Sequence, residues 1–174
     1  MNVIKQLKYY RDVGLDPFSS LETDYGIKSR EYDCGTVVLN YNQIDQGEDG
    51  NKFHPIVREC RSLVISKDFE VISRSFCRFF NLGEGENEVD FSNAVAYEKL
   101  DGSLISLYWN PLKNWWCFRS RSLAFAEGEN DKGICFADLI DNATGFPHSM
   151  LNDELSHLSK DKTYIFELVS PLVS

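Results

Sequence analysis

The chain has 174 residues, of which 43% are hydrophobic and 26% charged, and its formal net charge is -9 at pH 7. This length suits one domain, and 12 Phe, 8 Tyr and 3 Trp supply enough apolar surface for a sizeable core. No apolar run approaches the roughly 20 residues of a membrane span, and the first residues do not open a secretory signal. We therefore expect a cytoplasmic protein with no membrane partner. The five cysteines include no Cys-x-x-Cys pair, so neither a disulfide framework nor a zinc site is indicated.

Hydrophobic periodicity predicts a helix at residues 3–11 and mostly loop at 12–33. Strand-like runs follow at 36–41, 61–66, 69–76, 94–100, 103–109, 115–120 and 163–169. A loop rich in glycine and acidic residues is predicted at 45–51, a helix at about 131–143, and a weaker helix at 150–159. Many strands with short turns and few helices predict an α+β domain built mainly on antiparallel sheets.

One lysine has neighbours that point to chemistry. Lys99 lies two residues before an Asp-Gly pair, between two of the predicted strands. Asp101 and Gly102 would form the turn, in which Gly102 is able to take a positive φ and let a ligand approach the backbone. Such a placement can hold an amine over a phosphorus atom, which makes Lys99 a candidate covalent nucleophile. The alternative is a common hairpin whose lysine is only solvated.

The acidic net charge is unfavourable for binding nucleic acid, because phosphate contacts supply most of that affinity. The distribution of charge matters more than the sum, since basic residues concentrate in the central segment. They are Arg58, Arg61, Arg74, Arg78, Lys99, Arg119 and Arg121. An acidic connector, residues 84–90, lies beside them. The pattern indicates either a local basic cleft on an acidic body or arginines that merely surround a solvated surface.

Five segments, in one order, resemble the nucleotidyltransferase half of an ATP-dependent RNA ligase of the T-even phage tRNA-repair type. They are Tyr41-Asn42, Glu59-Cys60-Arg61, Ser73-Arg74 with Phe79-Phe80-Asn81-Leu82, Lys99-x-Asp101-Gly102-Ser103, and Phe166-Glu167-Leu168-Val169-Ser170-Pro171. The resemblance covers the chain from about Tyr41 to its end. It implies that residues 1–174 are the N-terminal portion of a nucleotidyltransferase domain that is incomplete at its C-terminus. If the protein is phage-encoded, it would act in the host cell cytoplasm.

The resemblance also implies a reaction. Lys99 would attack the α-phosphorus of ATP, with Mg²⁺ as metal cofactor, and would carry AMP. The adenylate would pass to the 5′-phosphate of an RNA, tRNA being one candidate, before a 3′-hydroxyl closes the break. A free lysine has a pKa of about 10.4, and a nearby cation such as Arg61 or Mg²⁺ would favour the neutral amine. No metal ligands are assigned by the sequence.

Further nucleotide-binding roles follow from the resemblance. Arg61 would lie near the ribose and phosphate and Glu167 on the ribose hydroxyls, while Tyr41, Asp101 and Gly102 would complete the site. These residue types suit the roles, because a guanidinium binds oxygen anions and a carboxylate accepts from hydroxyls. The alternatives are that Arg61 forms a surface charge pair with Glu59 and that Glu167 is an exposed position of an alternating strand.

The chain departs from the family at three positions where the relatives have lysine. Arg78 keeps the charge but not the point contact of a lysine. Arg119 and Arg121, two residues apart, are expected on one face of a strand, where they would meet pyrophosphate or the RNA end, or be solvated. Of the adjacent phenylalanines, Phe80 is the one assigned to the nucleotide pocket, and at least one of the pair is expected in the core.

Two later motifs of the family, a metal-binding glutamate and a Lys-x-Lys strand, would follow Phe166-Glu167, and Ser174 comes first. A missing C-terminal segment or a second polypeptide is therefore an expected partner. Three other functions stay open: a non-catalytic binder of nucleotide or RNA ends, a structural domain with idle motifs, and a DNA ligase or capping-type nucleotidyltransferase.

Overall fold

The computed structural model describes residues 1–42, 52–84, 90–129, 132–145, 147 and 151–169. In this part of the chain the helices are α1 (Asn2–Asp12), α2 (Pro17–Tyr25), α3 (Pro55–Glu59), α4 (Phe136–Thr144) and α5 (Leu151–Glu154). The strands are β1 (Ile27–Glu31), β2 (Thr36–Tyr41), β3 (Arg61–Ser66), β4 (Val71–Arg74), β5 (Ser103–Asn110), β6 (Trp115–Arg119) and β7 (Thr163–Leu168). None of these helices is long and apolar enough to cross a membrane.

The strands form two antiparallel sheets. The first has the order β1-β2-β3-β4, and the second has the order β6-β5-β7. Every strand pair in both sheets is antiparallel. With only short helices added, this arrangement confirms the predicted α+β class.

The first sheet is covered on both faces, which explains the unbroken apolar runs of β2 and β3. On one face, Leu39 and Leu63 pack with the buried side chains of α1 and α2, such as Leu7 and Leu21. The opposite face meets the second sheet, where alternate side chains of both sheets form a shared cluster. That cluster contains Val38, Val64, Tyr108, Cys117 and Ala124. The two sheets are therefore stacked, with helices on the outer face of the first.

The outer face of the second sheet has its own core, in which Ile105, Trp116 and Phe118 pack against Leu139 and Ile140 of α4. Polar bonds also join the sheets. Asn110 donates to the Thr36 hydroxyl at 3.0 Å, and the hydroxyls of Ser73 and Thr163 lie 3.0 Å apart. These buried and partly buried contacts fix the position of one sheet relative to the other.

Most strand predictions are confirmed, but the strand predicted at 94–100 is wrong. Residues 94–100 form no regular element, and Val95 and Tyr97 are 70% and 86% exposed. Their apolar and aromatic composition favours a strand, but no neighbouring strand pairs with them in the described part of the chain. Asp101-Gly102 is consequently an approach to β5 and not a hairpin turn between two strands.

The loop predicted at 12–33 is also wrong, because it contains α2 and β1. Asp16 caps α2 by accepting the backbone N–H of Ser19 at 2.7 Å, Pro17 is the first helical residue, and Gly26 ends the helix at φ 62°. An Asp-Pro pair followed nine residues after the proline by glycine is a start and stop signal for a short helix. The other turn-forming residues of this segment favour a loop instead. The two later helices are shorter than predicted, and the loop predicted at 45–51 lies outside the described residues.

A short helix that the periodicity did not predict, α3, holds the start of α1. The Glu59 carboxylate accepts the backbone N–H groups of Asn2 and Val3 at 3.1 and 2.9 Å. It also accepts the Asn2 side-chain amide at 3.0 Å. Since Met1 supplies no side-chain cap, Glu59 satisfies the free N–H groups of that helix end. Glu59 is thus a long-range cap, and the predicted surface pair with Arg61 is not formed.

Candidate functional site

A cleft of about 450 Å³ opens at one end of both sheets. Since β5 is antiparallel to β6 and β7, the start of β5 lies beside the ends of both neighbours. The start of β3 and the chain that follows β4 complete the walls. The lining residues are Arg61, Phe76, Phe79, Lys99, Gly102, Ser103, Leu104, Ser120, Arg121, Ser122, Phe136 and Glu167. Segments far apart in the sequence therefore meet at this cleft.

Lys99 lies at the mouth of the cleft, and its side chain is 85% exposed. Its Nζ donates to a carboxylate oxygen of Asp101 at 2.6 Å. That hydrogen bond and the negative charges of Asp101 and Glu167 raise the pKa of Lys99. This is opposite to the expectation that a neighbouring cation favours the neutral amine. Lys99 is therefore a protonated amine held by Asp101.

Gly102 is required by a close approach of two backbones. A Cβ at this position would lie 2.3 Å from the carbonyl oxygen of Leu168, the residue opposite Ser103 across the β5–β7 pair. Gly102 is not among the glycines with positive φ, so the expected turn role is wrong. The absent side chain lets the Lys99 segment lie directly against the end of β7, next to Glu167.

A β-bulge directs Arg61 into the cleft. Asn40 of β2 pairs with Arg61, whereas the preceding Leu39 pairs with Leu63. Ser62 is therefore the extra residue, and its φ is 59°. A non-glycine residue in this region stores of order 1–3 kcal/mol of strain. The Asn40 side chain compensates by accepting the Ser62 backbone N–H at 2.9 Å. Bulges of this kind commonly redirect a side chain beside a functional site.

The guanidinium of Arg61 is held without a counter-ion among the described residues. It lies 4.5 Å from the centre of the Phe79 ring, and its Nη1 is buried with no hydrogen-bond partner. Burial, followed by the nearby positive charge of Arg121, lowers the pKa of Arg61. Since buried N–H groups are almost always paired, an unpaired one that borders a cleft is suited to an anionic ligand.

A second arginine has the same property. Arg78 lies 4.2 Å from the centre of the Tyr41 ring, and its Nη1 is also buried without a partner. Arg121 contacts the same tyrosine and donates to the Tyr41 hydroxyl at 3.0 Å. Arg61, Arg78 and Arg121 form no salt bridge within the described residues. The three guanidinium groups therefore concentrate positive charge at the cleft in spite of the acidic net charge.

Arg119 has a different environment from the other predicted arginines. It is fully buried and donates to the hydroxyls of Ser73 and Ser62, with the Ser73 bonds at 3.2 and 3.3 Å. Burial lowers its pKa to about 10. β6 ends at Arg119, so the expected shared strand face with Arg121 is wrong, and so is a solvated Arg119. The side chain joins β6 to β3 and β4 beneath the cleft.

Five of the predicted residues share the cleft: Arg61, Lys99, Gly102, Arg121 and Glu167. Tyr41 contacts Arg121 of the cleft, and Arg78 packs on the Tyr41 ring. The exposed Asp101 accepts a hydrogen bond from Lys99. Phe79 lines the cleft, whereas Phe80 packs against Phe53 outside it, and neither belongs to a hydrophobic core cluster.

Sequence reasoning did not assign several cleft residues, among them Ser120, Ser122 and Phe136. The two serines flank Arg121 just after β6, and Phe136 is the first residue of α4. Short polar residues directly after a strand are the available signal, but loop composition has the same appearance. Among the described residues, no group of three or more His, Cys, Asp or Glu could hold a metal ion.

Comparison with known proteins gives one informative relationship. Over 165 residues, the chain is 33% identical to a protein of Autographa californica nuclear polyhedrosis virus. That viral protein is named as a bifunctional polynucleotide kinase/RNA ligase. The match covers 84% of this chain but 22% of that protein, so the chain spans about a fifth of its relative. No family model matches. The identity supports an RNA-ligase-like relationship.

Proposed function

We propose that the chain provides the nucleotide-binding part of an ATP-dependent RNA ligase in which Lys99 accepts AMP from ATP. The observation that carries the proposal is the placement of Lys99 in one cleft with Arg61 and Arg121. Arg61, and Arg78 next to the cleft, each have a buried N–H group without a partner. An amine next to unneutralised guanidinium groups is the arrangement that transfer of a phosphoryl-type group to nitrogen requires.

In the proposed step, the lone pair of Lys99 Nζ attacks the α-phosphorus of ATP. A P–N bond forms, the bond from the α-phosphorus to the bridging oxygen breaks, and pyrophosphate leaves with that electron pair. The amine loses its protons to solvent, the first of them before attack. Arg61, Arg78 and Arg121 would bind the polyphosphate oxygens, which stabilises the negative charge that develops on pyrophosphate as it leaves.

The proton on Lys99 must be lost before the amine can react. Asp101 and Glu167 favour retention of that proton, since both carboxylates raise the pKa of Lys99. If the Glu167 carboxylate accepts hydrogen bonds from the ribose hydroxyls, its negative charge would interact with the sugar and would stabilise the protonated Lys99 less. Bound cations near Asp101 would weaken its hold on the amine in the same way.

Mg²⁺ belongs to the proposal as a partner of the ATP phosphates. Magnesium is usually bound through substrate phosphates with one or two carboxylates, and not by a closed protein cage. This mode is compatible with a cleft whose described residues contain no three-ligand metal group. The substrates of the later steps would be RNA 5′-phosphate and 3′-hydroxyl ends, including those of broken tRNA, in the cytoplasm.

The test is covalent labelling with ATP that carries the label on its α-phosphate, in the presence of Mg²⁺. We expect labelled protein from the unmodified chain and none from Lys99→Ala. Lys162→Ala is the matched control, because Lys162 is an exposed lysine in the turn before β7 and should not affect labelling. Absence of label from the unmodified chain, even with a complementing C-terminal fragment, or full labelling of Lys99→Ala, would contradict the proposal.

The Lys99–Asp101 pair favours a second candidate function, a nucleotide binder that does not react. A protonated amine that stays paired with Asp101 would hold ATP electrostatically without attacking it. Calorimetry separates the two functions. Binding of ATP that is lost in Arg61→Gln, with no covalent label at any pH, would favour the binder.

A further inference from the structure

Outside the cleft, aromatic and basic side chains form a partly exposed ridge that the proposed AMP transfer does not use. The ridge consists of Lys52, Phe53, Arg58 and Phe80. The rings of Phe53 and Phe80 have centroids 4.7 Å apart, and Phe53 is 43% exposed. Lys52 Nζ lies 5.1 Å from the centre of the Phe53 ring, and the Arg58 guanidinium 5.8 Å from that of Phe80.

The ridge is tied to the fold and lies next to the cleft. The backbone N–H of Arg78 donates to the carbonyl of Arg58 at 2.8 Å, which fixes the chain before Phe80 against α3. The Arg78 guanidinium lies 5.8 Å from the Phe80 ring and 4.2 Å from the Tyr41 ring. Tyr41 in turn accepts a hydrogen bond from Arg121 of the cleft. A chain of aromatic and basic contacts therefore runs from the candidate nucleotide site to the ridge.

We propose that this ridge binds the single-stranded RNA whose end is presented to the cleft. Bases would stack on Phe53 and Phe80, and backbone phosphates would contact Arg58 and Lys52. Aromatic platforms bordered by cations are the common means by which proteins hold single strands without reading their sequence. The inference rests on the proposed function, which it deepens by naming the surface that holds the substrate strand.

Charge complementarity supports this occupant in a protein whose net charge is -9. Cations lie against both rings of the ridge. Among the described residues, Glu84 opposes binding, since it pairs with Lys52 at 3.2 Å. Both side chains of that pair are partly exposed, at 35% for Lys52 and 42% for Glu84. An RNA phosphate would compete with Glu84 for Lys52, so removing the Glu84 charge should strengthen RNA binding.

Fluorescence anisotropy with a labelled single-stranded RNA of about a dozen nucleotides tests the ridge, since single-strand sites span roughly 4–16 nucleotides. Phe53→Leu should weaken binding by about fivefold to a hundredfold. Arg58→Gln should reduce the slope of log affinity against log salt by about 0.7, because one phosphate contact is lost. Glu84→Gln should tighten binding.

Two control variants lie at the opposite end of the sheets. Lys67→Gln removes a charge just beyond β3, about 20 Å from Arg61 at 3.3 Å per strand residue. Trp115→Leu removes a ring at the start of β6 that is 37% exposed, close to the exposure of Phe53. Both variants should bind RNA as the unmodified chain does. Thermal unfolding of each variant identifies any loss of fold, and Arg58→Gln, at an exposed position, keeps the test valid if Phe53→Leu unfolds.

Three results would overturn the inference: no RNA binding by the unmodified chain, unchanged affinity and salt slope in both ridge variants, or equal losses in the control variants. Self-labelling with ATP is scored separately and without RNA. If labelling fails while RNA binding depends on Phe53 and Arg58, the proposed AMP transfer is wrong and the ridge stands. If labelling succeeds and RNA does not bind, the ridge is wrong and AMP transfer stands.

Discussion

Replacing Gly102 by alanine tests whether the cleft depends on close contact between the Lys99 segment and β7. The new Cβ would lie 2.3 Å from the Leu168 carbonyl oxygen, about 1 Å short of an ordinary contact. Neither atom is at the end of a flexible side chain, so the backbones must separate. Overpacking of this kind costs about 1–3 kcal/mol, and a 1 Å displacement of reacting groups can slow catalysis roughly a hundredfold.

Two measurements on Gly102→Ala separate these effects. Urea unfolding followed by tryptophan fluorescence should show the loss of stability, and the rate of self-labelling with ATP should fall by more than that loss explains. Gly83→Ala is the control, because its Cβ would meet no heavy atom within 4 Å although its φ is +83°. It should lose stability through backbone strain but keep its labelling rate. Unchanged stability and labelling in Gly102→Ala would refute the contact-based reasoning.

Three further variants test other parts of the structure. Arg119→Met removes the donor that Ser62 and Ser73 accept from beneath the cleft, and urea unfolding should show a loss of about 1–3 kcal/mol; equal stability would contradict that role. Asp101→Asn removes the largest cause of the raised Lys99 pKa, so the pH midpoint of self-labelling should move to lower pH; a shift upward would contradict the assignment. Glu59→Ala uncaps α1 and should cost about 1 kcal/mol of unfolding free energy; no loss would show that water replaces the cap.

The extent to which the sequence predicts the fold depends on the kind of signal. Strands β2 and β3 could be predicted because their apolar runs are rich in β-branched residues and bounded by polar residues. Residues 94–100 have a similar composition, yet pairing with a neighbouring strand decides whether such a run becomes a strand. Asp16-Pro17 marks the start of α2. The many turn-forming residues around this pair favour a loop, so composition alone does not predict the helix.

The candidate site could be predicted in part. The short motifs around Arg61, Lys99 and Glu167 indicated residues that the structure brings to one cleft. The burial of Arg119 could not be predicted, since it depends on Ser62 and Ser73 from two other strands. Nor could the role of Gly102, because the close contact with Leu168 joins segments far apart in the sequence. Long-range geometry of this kind has no local sequence signal.

The proposed reaction joins the Lys99 amine to the α-phosphorus of ATP. The most direct measurement is peptide mass spectrometry of the chain after incubation with ATP and Mg²⁺. We predict one adenylate on the peptide that contains Lys99, lost on mild acid treatment and stable in alkali, as a P–N bond requires. An adenylate on any other residue, or an unmodified Lys99 peptide under conditions where ATP binds, would contradict the account.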